Sequence, residues 1–264
     1  MSAIDLGVLA ADIAHEAGEL ARRRRAEGVA LAATKSTLAD IVTEADREVE
    51  QLIRDRLRSE RPDDGFLGEE TGAERGSSGY TWVVDPIDGT VNYAYGIPTY
   101  SVSIAVVEGE PHPERWQNVA AAVCAPALGE LFRAVRGEGA WLDAKRLAVN
   151  TDTPAGALLG TGFGYDPATH DGDLATVRRV MTMARDVRRM GSAAIDLAYL
   201  AAGRLDGFFE RGLNAWDFAA GVLLVQEAGG VVSRVDVDAP RPMLIAGGRD
   251  VHDRLRRLIV ETPV

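Results

Sequence analysis

The chain has 264 residues, an apolar fraction of 46% and a net charge of −11. This length is enough to bury a large core, and the negative charge argues against nucleic acid as the main partner, because phosphate backbones are held by an excess of Lys and Arg. No stretch approaches the ~20 uncharged apolar residues that a membrane span needs. Asp5 and Asp12 interrupt the segment where a secretory signal would be apolar, and the single cysteine, Cys124, excludes an intrachain disulfide. These features predict a globular protein of the cytoplasm.

The first part of the chain predicts two helices. Residues 3 to 27 are rich in Ala, Leu and Glu. A second helix is expected to begin near Thr43, because Asp46 three residues later completes a capping-box pattern, and to end before Pro62.

Short strands are expected from about residue 64 to 150, where apolar runs such as YTWVVD and YSVSIAVVE are separated by glycine, proline and charged turns. The glycine- and serine-rich stretch 71–78 is expected to be a loop. After Pro154, strand-like segments alternate with apolar helix-like segments, among them 192–202 and 215–228. With no repeat or convincing boundary, the chain is predicted to form one domain over 1–264, with a metal-site half to about residue 150 and a substrate half after it.

Acidic residues mark the ends of three predicted elements. WVVDPIDGT is an apolar run that ends in Asp85 and Asp88, and two carboxylates that close repel unless a cation or a proton joins them. FLGEE ends in Glu69 and Glu70, which point to opposite faces if the strand continues, so that periodicity does not choose between them. Asp217 stands near the start of an apolar helix. Taken singly, an exposed turn and an ordinary helix-start charge are the alternatives for these acids.

The composition of these clusters favours a metal and phosphate site. Carboxylates without neighbouring histidine or cysteine are the ligands that Mg²⁺ prefers. The backbone amides of Gly89 and Thr90, where a short helix is expected to begin, are suited to bind an anion.

Four segments, in this order, carry a resemblance to a known family. KSTLADIVTEAD, FLGEE, WVVDPIDGTVNY and LNAWDFAAGVLLVQEAGG together resemble the inositol monophosphatase family of Mg²⁺-dependent, lithium-sensitive phosphatases. The resemblance spans about residues 35 to 235. It implies an α+β fold, the layered αβαβα sandwich of the inositol monophosphatase and fructose-1,6-bisphosphatase type, and a homodimer.

The resemblance also implies a phosphoric monoester hydrolase with two or three Mg²⁺ ions per active site. The implied metal ligands are Glu69, Asp85, the carbonyl of Ile87, Asp88 and Asp217. The implied catalytic residues are Asp46 and Thr90, which orient and help to deprotonate the attacking water, together with Glu69. The implied substrate contacts are Asp88, Gly89, Thr90, Gly191, Ser192, Ala193, Glu210 and Asp217.

Other residues are less determined. Lys35 matches a basic residue near the metal loop, and Tyr165 departs from the small polar residues that many members carry there, so no contact is assigned to it. Arg188 and Arg189 are interpreted as paired surface arginines, with contact to a second phosphate or to the dimer seam as the alternative. The expected function is that of a phosphatase acting on inositol 1-phosphate. The alternative functions are those of a histidinol-phosphate phosphatase, a fructose-1,6-bisphosphatase, a 3'-phosphoadenosine 5'-phosphate phosphatase and a non-catalytic regulatory binding protein.

Overall fold

A pair of helices forms the outermost layer of the fold. The computed structural model describes residues 1–28, 31–34, 41–236 and 239–261. Helix α1 spans Ala3–Glu27 and helix α2 spans Glu44–Glu60, as the sequence predicted. In α2 the Thr43 side chain caps the amide of Asp46, and the Asp46 carboxylate accepts from the amide of Thr43. The reciprocal bonds satisfy amides that a helix start leaves unpaired.

The next layer is an eight-stranded sheet in the order β10-β9-β8-β7-β6-β5-β3-β4. A separate antiparallel pair, β1 and β2, precedes it. Their bounds are β1 (Leu31–Thr34), β2 (Ile41–Thr43), β3 (Gly65–Gly68), β4 (Gly72–Glu74), β5 (Tyr80–Asp88), β6 (Ser101–Gly109), β7 (Trp116–Ala125), β8 (Glu130–Val135), β9 (Gly139–Leu142) and β10 (Lys145–Arg146).

A five-stranded sheet and the remaining helices complete the fold. Its order is β12-β11-β13-β15-β14, with β11 (Ala157–Thr161), β12 (Ala184–Arg188), β13 (Gly207–Arg211), β14 (Val231–Val235) and β15 (Met243–Gly247). The helices are α3 (Thr90–Tyr95), α4 (His170–Val180), α5 (Ala193–Ala201), α6 (Ala215–Glu227) and α7 (Arg249–Arg256).

The alternation of side chains along each strand shows which helices cover which face of each sheet. On β5, Trp82 and Val84 pack with α1 and α2, whereas Val83 packs with α5 and α6 on the opposite face of the sheet. On β13, Phe208 faces α5 and α6, and Phe209 faces α4 and α7. Successive residues of a strand point to opposite faces, so each sheet is covered on both sides. The result is the expected α+β sandwich of αβαβα layers.

The strand arrangement brings the predicted acids to one edge of the large sheet. Strand β3 runs parallel to β5, with Gly68 opposite Val84, so both strands end at the same edge. The pairing of β5 with β6 is interrupted by a bulge between Asp85 and Asp88, where Pro86 has no amide to donate. Each helix in the described part of the chain is too short or too polar to cross a lipid bilayer.

Candidate active site

A cavity of about 210 Å³ opens at the carboxyl ends of β3 and β5. Helices α5 and α6 contribute their first residues to it, and the end of β13 forms the far wall. All of the predicted site residues except Asp46 line this cavity: Glu69, Asp85, Ile87, Asp88, Gly89, Thr90, Gly191, Ser192, Ala193, Glu210 and Asp217. Residues from both halves of the sequence therefore meet at one place.

Asp85 is the most deeply enclosed of the acids. It is 2% exposed, and its Oδ1 atom is buried without a hydrogen-bond partner. Burial, and then the charges of Glu69, Asp88 and Asp217, hold the pKa of Asp85 well above its ordinary value. An unpaired buried acceptor is costly, so this carboxyl needs a proton or a cation.

Asp88 is held in place by the start of α5. Its Oδ2 atom accepts from Ser192 Oγ and from the amide of Ala194, each at 2.7 Å. Burial raises the pKa of Asp88 to about 6, against the opposing effect of the Ser192 hydrogen bond. Ser192 is also the N-cap of α5, as predicted, since its Oγ accepts from the amide of Ile195 at 3.2 Å. One hydroxyl thus joins the helix start to the acid.

Asp217 occupies the first turn of α6. Its Oδ2 atom accepts from the amide of Asn214 at 2.6 Å. Burial and then the charge of Asp88 raise the pKa of Asp217 well above its usual range. The residue is partly accessible because it faces the cavity, although protein encloses its other sides.

Of the two glutamates after β3, Glu69 lines the cavity and Glu70 does not. The turn is fixed by Glu50, a buried residue of α2 that the sequence analysis did not select. Its Oε2 accepts from the amide of Glu70 and its Oε1 from the amide of Thr71, each at 2.9 Å. An acid at a helix position that also carries buried apolar neighbours, such as Val49 and Ile53, is the signal by which Glu50 could have been found.

Asp46 lies behind Thr90, outside the cavity lining. Thr90 Oγ1 is 3.2 Å from Asp46 Oδ1 and 3.0 Å from the carbonyl oxygen of Ile87, so its single proton goes to one of them at a time. The other carboxylate oxygen of Asp46 accepts from the amide of Thr43 at 2.8 Å and from its hydroxyl. Burial raises the pKa of Asp46 to about 6. The arrangement orients the Thr90 hydroxyl at the edge of the cavity.

The donor set fits an oxygen-seeking divalent cation. Among the described residues, no group of three or more Asp, Glu, His or Cys side chains stands in this conformation so that it could hold a metal ion. Asp88 and Asp217 instead hold protein donors through their Oδ2 atoms. The unsatisfied Oδ1 of Asp85 and the mutual repulsion of these acids nevertheless favour a bound cation.

Two backbone segments approach residue 89 so closely that a glycine is needed there. It adopts φ of 92°, and a Cβ atom there would lie 3.0 Å from the carbonyl oxygens of both Thr99 and Gly191. A larger residue would therefore push the Asp88 loop away from the start of α5.

The far wall of the cavity contains residues that sequence reasoning missed or left open. Tyr165 lines the cavity, and burial, with the nearby charge of Asp88, raises its pKa. Arg189 is exposed, as interpreted from the sequence, and it also lines the cavity; Arg188 is likewise exposed and pairs with Asp186 at 2.6 Å. Asp196 is a further lining residue, 1% exposed, and an acid within an apolar helix segment is the signal for it. Lys35 lies outside the described residues.

Glu210 stands at the end of β13 and faces the cavity. Burial, then the charge of Asp88, raises the pKa of Glu210 to about 8, against the opposing charge of Arg189. The residue is enclosed on all sides except the cavity, which leaves it partly accessible.

Glu210→Gln is expected to flatten the pH dependence of stability in chelator-treated protein. The unfolded chain loses the Glu210 proton near 4.5, and the fold keeps it to about 8, so stability falls as pH rises through this interval. Because Gln carries no such proton, the variant should melt at least about 2 °C higher than wild type at pH 8, which corresponds to roughly 1 kcal/mol, and show no advantage at pH 4.5. Thermal unfolding from pH 4.5 to 8.5 measures this, with Glu138→Gln at an exposed position as control. Parallel profiles for the wild type and Glu210→Gln would contradict the buried position of the acid.

Comparison with known proteins relates the whole chain to one group. The sequence profile described as the inositol monophosphatase family matches residues 6–262. Inositol-1-monophosphatase of Mesorhizobium japonicum is 43% identical over 236 residues, which are 85% of this chain and 84% of the relative. A Xylella fastidiosa protein named Nus factor SuhB is 42% identical over 235 residues, 84% of this chain and 82% of the relative. The crystal structure of extragenic suppressor protein suhB from Bartonella henselae superposes with a TM-score of 0.88 at 35% identity, covering 98% of this chain and all of that one.

Proposed function

Since the chain belongs to the inositol monophosphatase family, whose members are metal-dependent phosphatases, we propose that it hydrolyses inositol 1-phosphate and related polyol or sugar monophosphates with Mg²⁺. The observation that carries this proposal is the unpartnered Oδ1 of buried Asp85 in a cavity shared with Asp88, Asp217 and Thr90. Oxygen ligands for a cation and a hydroxyl that can orient water therefore line the same space.

The proposed metal ligands are Glu69, Asp85, the carbonyl of Ile87, Asp88 and Asp217. Two or three Mg²⁺ ions held by these residues would supply charge neutralisation at the phosphoryl oxygens, a lowered pKa of bound water and stabilisation of the leaving alkoxide. Hydrolysis of a phosphate monoester needs this charge neutralisation more than covalent chemistry, because the uncatalysed reaction is among the slowest known.

The protein's own contribution begins with Thr90 and Asp46. In the proposed mechanism the Thr90 hydroxyl accepts a hydrogen bond from the attacking water while it donates its own proton to Asp46 Oδ1. Asp46 is held as an acceptor by the amide and hydroxyl of Thr43, so it fixes the direction in which the Thr90 proton points.

The remaining contacts divide between the phosphate and the alcohol. We assign the amides of Gly89 and Thr90 to the phosphoryl oxygens. The segment from Gly191 through Ser192 to Ala193, at the start of α5, lies against the Gly89 turn and is assigned to the substrate between phosphate and alcohol. Glu210, on the far wall, is assigned to the polyol hydroxyls, for which a carboxyl group is a suitable partner.

Phosphate release across inositol 1-phosphate, histidinol phosphate, fructose 1,6-bisphosphate, 3'-phosphoadenosine 5'-phosphate and an aryl phosphate tests the proposal. We expect Mg²⁺-dependent release that is fastest with inositol 1-phosphate, is lost on chelation, and is inhibited by Li⁺ competing with the more weakly held ion. Ca²⁺ in place of Mg²⁺ is the matched control. It carries the same charge but tolerates a looser ligand geometry because it is larger, so it separates a requirement for Mg²⁺ from a requirement for any divalent charge. Faster release from another substrate would move the assignment to that family branch, and release that persists after chelation would remove the metal from the proposal.

A second candidate function is binding to a partner protein, which the name of the Xylella fastidiosa relative favours. The two functions separate in a metal-site variant such as Asp85→Asn, which would lose hydrolysis and retain partner binding.

Three other expectations remain predictions: the homodimer, the cytoplasmic location and the lack of a nucleic-acid partner. Sedimentation velocity tests the homodimer.

A further inference from the structure

Two backbone segments form the end of the cavity where we propose that the alcohol part of the substrate binds, away from the acids of β5. Residues 162–165 follow β11, and residues 211–214 follow Glu210 at the end of β13; both segments line the cavity.

Arg241 and Asp173 form an ion pair behind these segments, which we call the Arg241–Asp173 clasp. The guanidinium donates from Nη1 to Asp173 Oδ1 at 3.2 Å and from Nη2 to Asp173 Oδ2 at 2.8 Å. Asp173 lies in the first turn of α4 and is 7% exposed. A forked, largely buried pair of this kind has a well-defined geometry.

The clasp is bonded to both segments. Asp173 Oδ2 accepts from the amide of Gly164 at 3.2 Å, and Arg241 Nη2 donates to the carbonyl oxygen of Arg211 at 3.2 Å. The amide of Gly212 donates to the carbonyl oxygen of Pro242, next to Arg241, at 3.0 Å. One ion pair therefore connects the backbone of the two walls.

Glycines on either side leave room for the guanidinium. A Cβ atom on Gly164 would lie 2.7 Å from Arg241 Nη2, and one on Gly212 would lie 2.8 Å from Arg241 Nε. The arginine thus fills the gap between the walls, and its side chain sets how closely they approach.

Glu210 lies where the two walls meet. It directly precedes Arg211, and its carboxyl group rests against Gly162, where a Cβ atom would lie 2.1 Å from Oε1. Any change in the separation of the walls therefore displaces the Glu210 carboxyl, together with Tyr165 at the end of the first segment.

We propose that Arg241 and Asp173 are positioning residues that hold the two walls at the spacing needed to recognise the hydroxyl groups of a polyol phosphate. They act through Glu210 and Tyr165 and leave the phosphate chemistry at Asp85 and Thr90 unchanged. This inference rests on the proposed function and deepens it, because it assigns the selection of the alcohol to a contact outside the cavity.

Arg241→Gln and Asp173→Asn test the clasp with two substrates, inositol 1-phosphate and an aryl phosphate that has no hydroxyl groups. We expect the KM for inositol 1-phosphate to rise about tenfold with kcat within about twofold, and both constants for the aryl phosphate to change by less than about twofold. Arg241→Lys should show an intermediate rise, since an ammonium group keeps the charge and loses the fork. The double variant should resemble the single variants, because the two side chains act as a unit.

The exposed ion pair between Arg254 and Asp250 on α7 supplies the matched control, as Arg254→Gln and Asp250→Asn. Glu210→Gln is the positive reference for a loss confined to the polyol substrate. Asp173→Asn keeps the shape of the side chain and leaves no unpaired buried carboxylate, so it reports on the clasp even if Arg241→Gln folds poorly.

Two results would overturn the inference. Unchanged kinetics on both substrates would remove the clasp from recognition, and equal losses on both substrates with a lowered Tm would make it purely structural. Wild-type protein that releases phosphate from neither substrate would refute the proposed function and the clasp's role together, whereas active wild type with either of the two results above refutes the clasp alone.

Discussion

Replacing Asp85 with Asn is expected to lower the rate of phosphate release about a thousandfold or more and to raise the Tm of the chelator-treated protein. The loss of activity follows because the carboxylate that we propose as a central metal ligand is replaced by a neutral amide, and several kcal/mol of charge stabilisation disappear from the transition state. The gain in stability follows because Asp85 is a buried acid next to other acids. Phosphate release and thermal unfolding measure the two effects on the same preparation.

The direction of the stability effect can be worked out from the pKa. The fold holds the pKa of Asp85 well above the value in the unfolded chain, so stability falls as pH rises from that unfolded value towards the raised one. Asn carries no titrating proton and escapes this penalty at neutral pH. Asp55→Asn, at an exposed position of α2, is the control and should change neither quantity. Full activity in Asp85→Asn would remove this residue from the site, and a lowered Tm in the metal-free state would contradict the repulsion among the acids.

Thr90→Val is expected to reduce kcat by about 10²- to 10⁴-fold, the range typical of a lost acid-base partner, with little change in KM or in metal affinity. Val keeps the shape of the side chain and removes the hydroxyl that lies 3.2 Å from Asp46 Oδ1 and 3.0 Å from the Ile87 carbonyl oxygen. Steady-state kinetics and a calorimetric Mg²⁺ titration separate the chemical step from metal binding.

Two further variants define what the Thr90 hydroxyl does. Thr90→Ser restores the hydroxyl without the methyl group and should recover most of the activity. Thr182→Val removes an exposed hydroxyl that donates to the carbonyl oxygen of Arg179 and has no proposed role in the candidate site, so it should behave as wild type. A loss in Thr90→Ser as large as in Thr90→Val would show that packing, and not the hydroxyl, is responsible.

Local patterns predicted helices α1, α2, α5 and α6 but missed helix α7 and the short strands β4 and β15. The start of α2 was predictable because the Thr43 and Asp46 capping box is encoded within four residues. Strand β15 was missed, since its five apolar residues become a strand only by pairing with β13 and β14. Strand β4 lies within the predicted loop 71–78 for the same reason, because it forms by pairing with β3. Short strands depend on partners that are distant in sequence.

In the candidate site too, local motifs were predictable from the sequence, and contacts between distant segments were not. Asp85 and Asp88 were evident from one short motif, whereas periodicity did not choose between Glu69 and Glu70 because the chain turns after Gly68. The choice is made by Glu50, some 20 residues earlier, through its bonds to the next two amides. Arg241 is 68 residues from Asp173 in sequence, and no local pattern reports a contact across that distance.

Asp46 and Asp217 each accept a hydrogen bond from the amide of the N-cap residue three positions before them, in α2 and α6 respectively. These carboxylates therefore cap their own helices, and the first turn of each helix fixes the rotamer that brings Asp217 to the cavity and Asp46 to Thr90 at its edge. A molecule in which either helix has frayed by one turn has already lost part of its reactive centre. Assembly of that centre is accordingly coupled to the local folding of two helix starts that are far apart in the chain.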